Sequence, residues 1–253
     1  MKTMKFYSVL LIALMVAFSS HAQSAASEKP TIIFVHGIWA DGTSWTDQIT
    51  GLQAKGYAVI SVQNPVTSLA ADVAATQRAI DMAKGKVILV GHSWGGFVIT
   101  QAGNDPKVIG LVYVAAYAPE IGETVPELQK NAPGTELSKY FVPAGDFVYL
   151  SEAGVKAAFA NDLPVKEQSV IYATQTPASK TVFGDKSGTP AWKQKPSWYI
   201  VAKGDKTINP DLERFMAKRI KAKTTELESG HVVMIAQPKA VLRIIEEAAS
   251  AKN

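Results

Sequence analysis

Four stretches of this chain, "TIIFVHG" (31–37), "YAVISVQ" (57–63), "KVILVG" (86–91) and "VIGLVYVAA" (108–116), are rich in β-branched residues and apolar at almost every position. A strand with one wet face alternates apolar and polar residues, whereas a strand covered on both faces reads as a continuous apolar run. Between them lie segments of helical character at 43–54, 67–83 and 94–103. In the second, Leu69, Val73, Gln77 and Ile80 recur every three or four residues, and Thr67 stands where a cap is expected. Parallel strands joined by helices need right-handed crossovers, so an α/β fold with a doubly wound, mostly parallel sheet is expected.

The alternation lapses after the fourth run. Pro126, Pro133, Pro143, Pro164 and Pro177 are scattered through a stretch in which only "SEAGVKAAFAND" and "VKEQSVIYAT" read as helices. Residues 119–190 are therefore expected to form an inserted helical lid between two core segments, 23–118 and 191–253. The core pattern resumes with a strand and its exit turn at 197–205, a helix at 209–220, a strand and exit loop at 224–231 and a closing helix at 237–252. With 47% hydrophobic and 19% charged residues among 253, the chain can bury a core large enough to do without staples. It contains no cysteine, which excludes disulfides, cysteine metal sites and a cysteine nucleophile.

The first 22 residues read as a secretory signal. "MKTMK" is a positive leader, "FYSVLLIALMVAF" an apolar stretch too short to span a bilayer, and Ser20-His21-Ala22 fits the small-x-small cleavage rule. The mature chain is expected to begin near Gln23, exported to the periplasm or beyond, with no stable membrane anchor. Without Lys2 and Lys5 the chain carries 24 basic against 22 acidic residues, too even a balance for nucleic acid to be a partner.

The chemistry begins at "VILVGHSWGG" (87–96), where Gly91-His92-Ser93-Trp94-Gly95 joins an apolar strand to a helical run. Gly-x-Ser-x-Gly at a strand-to-helix junction is the nucleophile elbow, in which a strained backbone lifts the serine Oγ above the sheet. A serine hydroxyl is a weak nucleophile and needs a base oriented by an acid. Of four histidines, His21 is in the leader, and His36 and His92 sit inside glycine motifs. His231, in "ESGHVVMIAQP", alone follows Ser93 in the chain and is the expected base. Asp205, in "VAKGDKTINP" at a strand exit, is the first choice of acid; Glu120, Glu123, Asp185 and Asp211 compete, the last better explained by the start of a helix. The oxyanion hole is expected from the backbone N–H groups of Trp94 and Ile38, with Gly37 permitting the turn that aims the latter. Trp39 and Trp45 are candidates for the pocket wall, the alternative for each being core packing. No metal or cofactor is implied.

Together "HGIWADGTSW", "GHSWGG", "GDKTINP" and "SGHVVMIAQP" resemble the α/β-hydrolase superfamily over residues 31 to 250, most closely small bacterial esterase-like hydrolases and more loosely the plant esterase and hydroxynitrile-lyase branch. The resemblance implies an eight-stranded core in typical members. Here about eight residues separate the cleavage site from the first strand, so the leading antiparallel hairpin is expected to be absent and six parallel strands to remain. Lyases of that branch carry a lysine directly after the histidine, whereas Val232 stands here. The expected activity is hydrolysis of a small carboxylic ester through an acyl-enzyme, with lid aromatics Phe141, Phe147, Tyr149, Phe159, Tyr172 and Phe183 supplying an apolar pocket. The same triad serves cofactor-free haloperoxidases, perhydrolases and lactonases, and a slow-turnover ligand-binding protein could retain it.

Overall fold

Three of the four apolar runs lie inside a single parallel sheet, and the run at 57–63 forms one of its edges. In the computed structural model, which describes residues 29–251, six strands lie in it: β1 (Thr31–Val35), β2 (Val59–Val62), β3 (Val87–His92), β4 (Val108–Val114), β8 (Ser197–Ala202) and β9 (Lys223–Leu227). Their order is β2-β1-β3-β4-β8-β9 and every neighbouring pair is parallel. The leading segment read as a secretory signal lies outside the described residues. β1, β3 and β8 are buried at every position and β4 at all but Ile109, while the edge strand β9, "KTTEL", is half exposed and correspondingly polar. The fully buried strands are thus those sandwiched between helix layers, whereas the two edge strands, apolar β2 and polar β9, are both partly exposed.

Helices α1 (Thr46–Ala54) and α9 (Pro238–Ser250) pack on each other, as do α2 (Leu69–Met82) and α3 (Gly95–Ala102), and α7 (Pro210–Arg219) packs on β8. The cap of α2 is Ser68, whose hydroxyl accepts the Ala71 N–H at 3.1 Å, one residue beyond the expected Thr67. At the other end of the chain, Gln48 in α1 donates to the carbonyl oxygens of Met234 in α8 (Val233–Ala236) and Pro238, tying the first helix to the last.

Between β4 and β8 the structure differs from an all-helical lid. Helices α4 (Val125–Gln129), α5 (Glu152–Gly154) and α6 (Val165–Thr174) are present, the second continuing as a π-turn over 155–159. They are accompanied by an antiparallel sheet of β5 (Phe141–Ala144), β6 (Phe147–Leu150) and β7 (Ala178–Ser179). The physical reason is legible afterwards. "FVPAGDFVYL" is two β-rich runs around Gly145-Asp146, and Gly145 takes the positive φ of 57° that a two-residue hairpin loop demands. Pro143, which looked like a breaker, sits in the edge strand β5, where a missing N–H is tolerated.

The start of α3 is the tightest point of the core. A Cβ added to Gly95 would collide with the carbonyl oxygen of Val35 at the end of β1. Gly95→Ala is expected to destabilise the fold by about 1–3 kcal/mol, because backbone rather than a flexible side chain must give way. Urea unfolding of the variant against wild type checks this.

Candidate active site

Ser93 sits between β3 and α3 with φ 53°, in the left-handed region that non-glycine residues rarely adopt. The strain is held from below. Its N–H reaches Val114 O in β4 at 3.3 Å, and its carbonyl oxygen accepts N–H groups of Gly96 and Tyr117 at 3.0 and 3.1 Å. A Cβ on Gly91 would lie 2.6 Å from Gly95 O, so the glycines framing the serine answer the close approach of strand and helix.

The loop after β1 presses against the serine from the other side. A Cβ on Gly37 would stand 2.6 Å from Ser93 Cβ. Gly37 is therefore required for space, and the turn itself is made by Trp39, whose φ is 60°. Neither Ile38 N–H nor Trp94 N–H has an acceptor among the described residues, while Trp39 N–H is taken by Thr176 O at 3.0 Å. His36 braces this loop. Its Nε2 accepts Asn64 N–H at 2.9 Å, which leaves Nδ1 to donate to Gly37 O at 2.8 Å, and burial holds its pKa below the ordinary histidine range.

His231 and Asp205, 26 residues apart in sequence, meet at 2.5 Å between Nδ1 and Oδ2, both side chains fully buried. The other oxygen of Asp205, Oδ1, accepts the N–H groups of Thr207 and Ile208 at 2.6 and 2.9 Å, so the loop beyond β8 fixes the carboxylate's orientation. The rival acids are engaged elsewhere. Glu120 pairs with Lys193, Glu123 with Arg219, Asp185 accepts the Leu69 N–H at the start of α2, and Asp211 stands in the first turn of α7.

His231 Nε2 is buried and has no hydrogen-bond partner, so Ser93 Oγ and His231 do not yet share one. Such bonds are commonly long without substrate and shorten when it binds. The histidine loop is held by residues that the sequence did not single out. His92 Nε2 donates to His231 O at 3.0 Å with the two rings 4.6 Å apart; burial and the neighbouring imidazole keep His92 neutral, its pKa well below 6.5. Asp162, from the segment between β4 and β8, accepts Gly230 N–H at 2.6 Å and the Ser229 hydroxyl at 2.9 Å. Phe159 places its ring 5.2 Å from that of His231.

Asp72 was also missed, since an acid near a helix start reads as ordinary capping. It is buried, accepts Trp94 Nε1–H at 2.7 Å and Val66 N–H at 2.8 Å, and burial raises its pKa to about 6. The Trp94 indole is thereby anchored while its backbone N–H stays free beside Ser93.

Ser93 opens into a cavity of about 300 Å3 walled by Ile38, Trp39, Tyr117, Phe141, Phe183 and Leu212. A second cavity, about 360 Å3, lies across Trp39 and is bordered by Phe159, Ile171, Val232 and Met234. Trp39 walls both and is pinned by its Nε1–H to Val148 O at 3.0 Å. Trp45 walls neither: it is fully buried and stacked on Phe34 with ring centroids 4.7 Å apart, so its place is in the core. Of the lid aromatics, Phe141 and Phe183 line the serine's cavity and Phe159 packs on His231. Tyr149 and Tyr172 border a separate surface hollow, and Phe147 borders none of these cavities. Among the described residues, no group of three or more His, Asp or Glu side chains is placed to hold a metal ion, and no helix is long and apolar enough to cross a membrane.

Comparison with known proteins agrees with this architecture. A carbendazim hydrolyzing esterase of Nocardioides sp. is 29% identical over 124 residues, 44% of this chain and 51% of that protein, so the likeness spans about half its length. A probable hydrolase, R7, of Phoma sp. is 25% identical over 246 residues, covering 87% of this chain and 98% of that one. Among solved structures, a pyrethroid hydrolase from Sphingobium faniae superposes with TM-score 0.74 at 22% identity, over 88% of this chain and 98% of its own. Polyneuridine aldehyde esterase gives TM-score 0.75 at 16% identity, over 87% and 98%. At such identities the structures speak for the fold. The profile of the alpha/beta hydrolase family matches residues 32–244, and the chain belongs to that family.

Proposed function

We propose that this protein hydrolyses small carboxylic esters through an acyl-enzyme on Ser93. The observation that carries the reading is a strained serine and two unpaired backbone N–H groups at one cavity, with a buried histidine, hydrogen-bonded to an aspartate, tied by its carbonyl oxygen to the residue before that serine. His231 Nε2 takes the proton of Ser93 Oγ as that oxygen attacks the ester carbon. The N–H groups of Ile38 and Trp94 stabilise the developing oxyanion, and Asp205 holds the imidazole in the Nδ1–H tautomer and faces its positive charge. His231 then protonates the departing alcohol, and a water molecule, deprotonated by the same nitrogen, releases the acid. The carbendazim esterase, pyrethroid hydrolase and polyneuridine aldehyde esterase to which the chain is similar support ester chemistry. A cavity of about 300 Å3 is at the small end for ligand pockets, which favours short acyl groups.

The test is turnover of p-nitrophenyl acetate and butyrate, together with stoichiometric labelling by a fluorophosphonate mapped by mass spectrometry to the peptide containing Ser93. Binding without turnover would instead mark a ligand-binding protein. Export is part of the same proposal: protein recovered from a secretion-competent host is expected to begin near Gln23, and intact mass measurement checks it.

A further inference from the structure

A second carboxyl group lies against Asp205 and takes no part in the acyl-transfer steps above. Glu213, in the first turn of α7, is fully buried. Its Oε2 accepts the N–H of Ala202, the last residue of β8, at 2.9 Å, while Oε1 finds no N–H or hydroxyl donor among the described residues. Asp205, three residues beyond Ala202, donates its own N–H to Ala202 O at 3.1 Å, so both carboxyl groups are held at the same buried turn beyond β8. Two ionised carboxylates on one dry turn repel each other, so one of the pair carries a proton.

The partners decide which. Asp205 receives three donors, the Nδ1–H of His231 and the N–H groups of Thr207 and Ile208, an environment built for an anion. Glu213 receives one. The other titratable groups that bear on it offer no compensating charge in the interior. Tyr199 in β8 spends its hydroxyl on Ala116 O, Tyr117 is buried and un-ionised, and Arg214 is exposed and paired with Asp211 and Glu226. Burial and the adjacent Asp205 charge both push the Glu213 carboxyl well above the usual carboxylate range.

We propose that Glu213 is a positioning residue of the triad, donating its carboxyl proton to the Asp205 carboxylate and holding that carboxylate against His231. The proposal rests on the reading of Ser93, His231 and Asp205 as a triad. Four hydrogen bonds then saturate Asp205, which can neither rotate away from the imidazole nor readily accept its proton, so the charge developed during attack stays on His231. Above the pH at which Glu213 loses its proton, two negative charges share one dry site and the acid is driven out of register. Activity therefore falls at alkaline pH through this group.

Glu213→Gln and Glu213→Met in the otherwise intact protein, with Ser93→Ala alongside, test this. Glutamine can keep both contacts, its amide N–H to Asp205 and its carbonyl oxygen to the Ala202 N–H, without a charge. It is expected to keep kcat within about threefold of wild type and to lack the alkaline decline. Methionine fills the space without a donor and is expected to lower kcat by about 10- to 100-fold at unchanged KM, the cost of a misaligned catalytic group. Infrared spectroscopy reads the same proton without any activity: wild type at pH 8 is expected to show a protonated-carboxyl band that Glu213→Gln lacks. Absence of that band from wild type would overturn the proposal even if the methionine variant failed to fold. A folded Glu213→Met with wild-type kcat and pH profile would overturn it too, as would Glu213→Gln losing as much activity as Glu213→Met. Full activity of Ser93→Ala would instead remove the triad reading on which the proposal rests.

Discussion

Ser93→Ala is expected to lower kcat for a short p-nitrophenyl ester by about 10^4-fold or more, with KM nearly unchanged and fluorophosphonate labelling abolished. The substitution removes the attacking oxygen and little else. Among the described residues the Ser93 hydroxyl has no hydrogen-bond partner, and the contacts that hold its backbone, to Val114, Gly96 and Tyr117, use main-chain atoms that alanine retains. Stability should therefore be close to wild type, and urea unfolding measured on the same preparation separates lost chemistry from lost structure. Some acceleration over the uncatalysed rate should survive, because Ile38 and Trp94 N–H groups still face a bound carbonyl. Substantial turnover by Ser93→Ala would refute the acyl-enzyme mechanism.

Asp205→Asn is expected to cost about 10^4-fold in kcat at neutral pH, and its geometry explains why an isosteric change is so damaging. The Oδ1 side of Asp205 faces two backbone donors, Thr207 N–H and Ile208 N–H. An asparagine will place its carbonyl oxygen there, which turns its NH2 group towards His231 Nδ1. That nitrogen must then act as acceptor, so the proton moves to Nε2, and the ring can no longer receive the proton of Ser93. Steady-state kinetics of the variant between pH 6 and 9 measures the effect. Near-normal activity would mean that another acid serves His231. Glu120 and Glu123 are poor substitutes, since Lys193 and Arg219 already hold them.

These residues were legible in the sequence for a local reason. The elbow is five consecutive residues whose glycines answer a close approach of strand and helix, and a single histidine follows Ser93 in the chain. Asp205 was legible less directly, through its place at a strand exit, with competitors that only contacts could dismiss. The six-strand core was visible because β1, β3, β4 and β8 are buried on both faces and so are apolar throughout. The hairpin of β5 and β6 was present in the sequence as Gly145-Asp146 between two β-rich runs, but Pro143 drew the reading towards a broken helical segment.

What the sequence determined by itself is what neighbouring residues or a repeating pattern encode: the parallel α/β core, the strained serine, and the histidine and aspartate at successive loop positions. What the tertiary structure decided is what depends on residues far apart in the chain. It put Trp39 in the wall between two cavities and Trp45 on Phe34 in the core, though both are tryptophans of one loop. It joined Asp72 to the indole of Trp94 and Asp162 to the histidine loop, and it tied Glu213 to the turn that carries Asp205. An acidic residue near a helix start reads alike whether it faces water or a buried partner. Only the packing of α2 and α7 against their neighbours turns such carboxyl groups inward, where a missing solvent shell makes each hydrogen bond decisive.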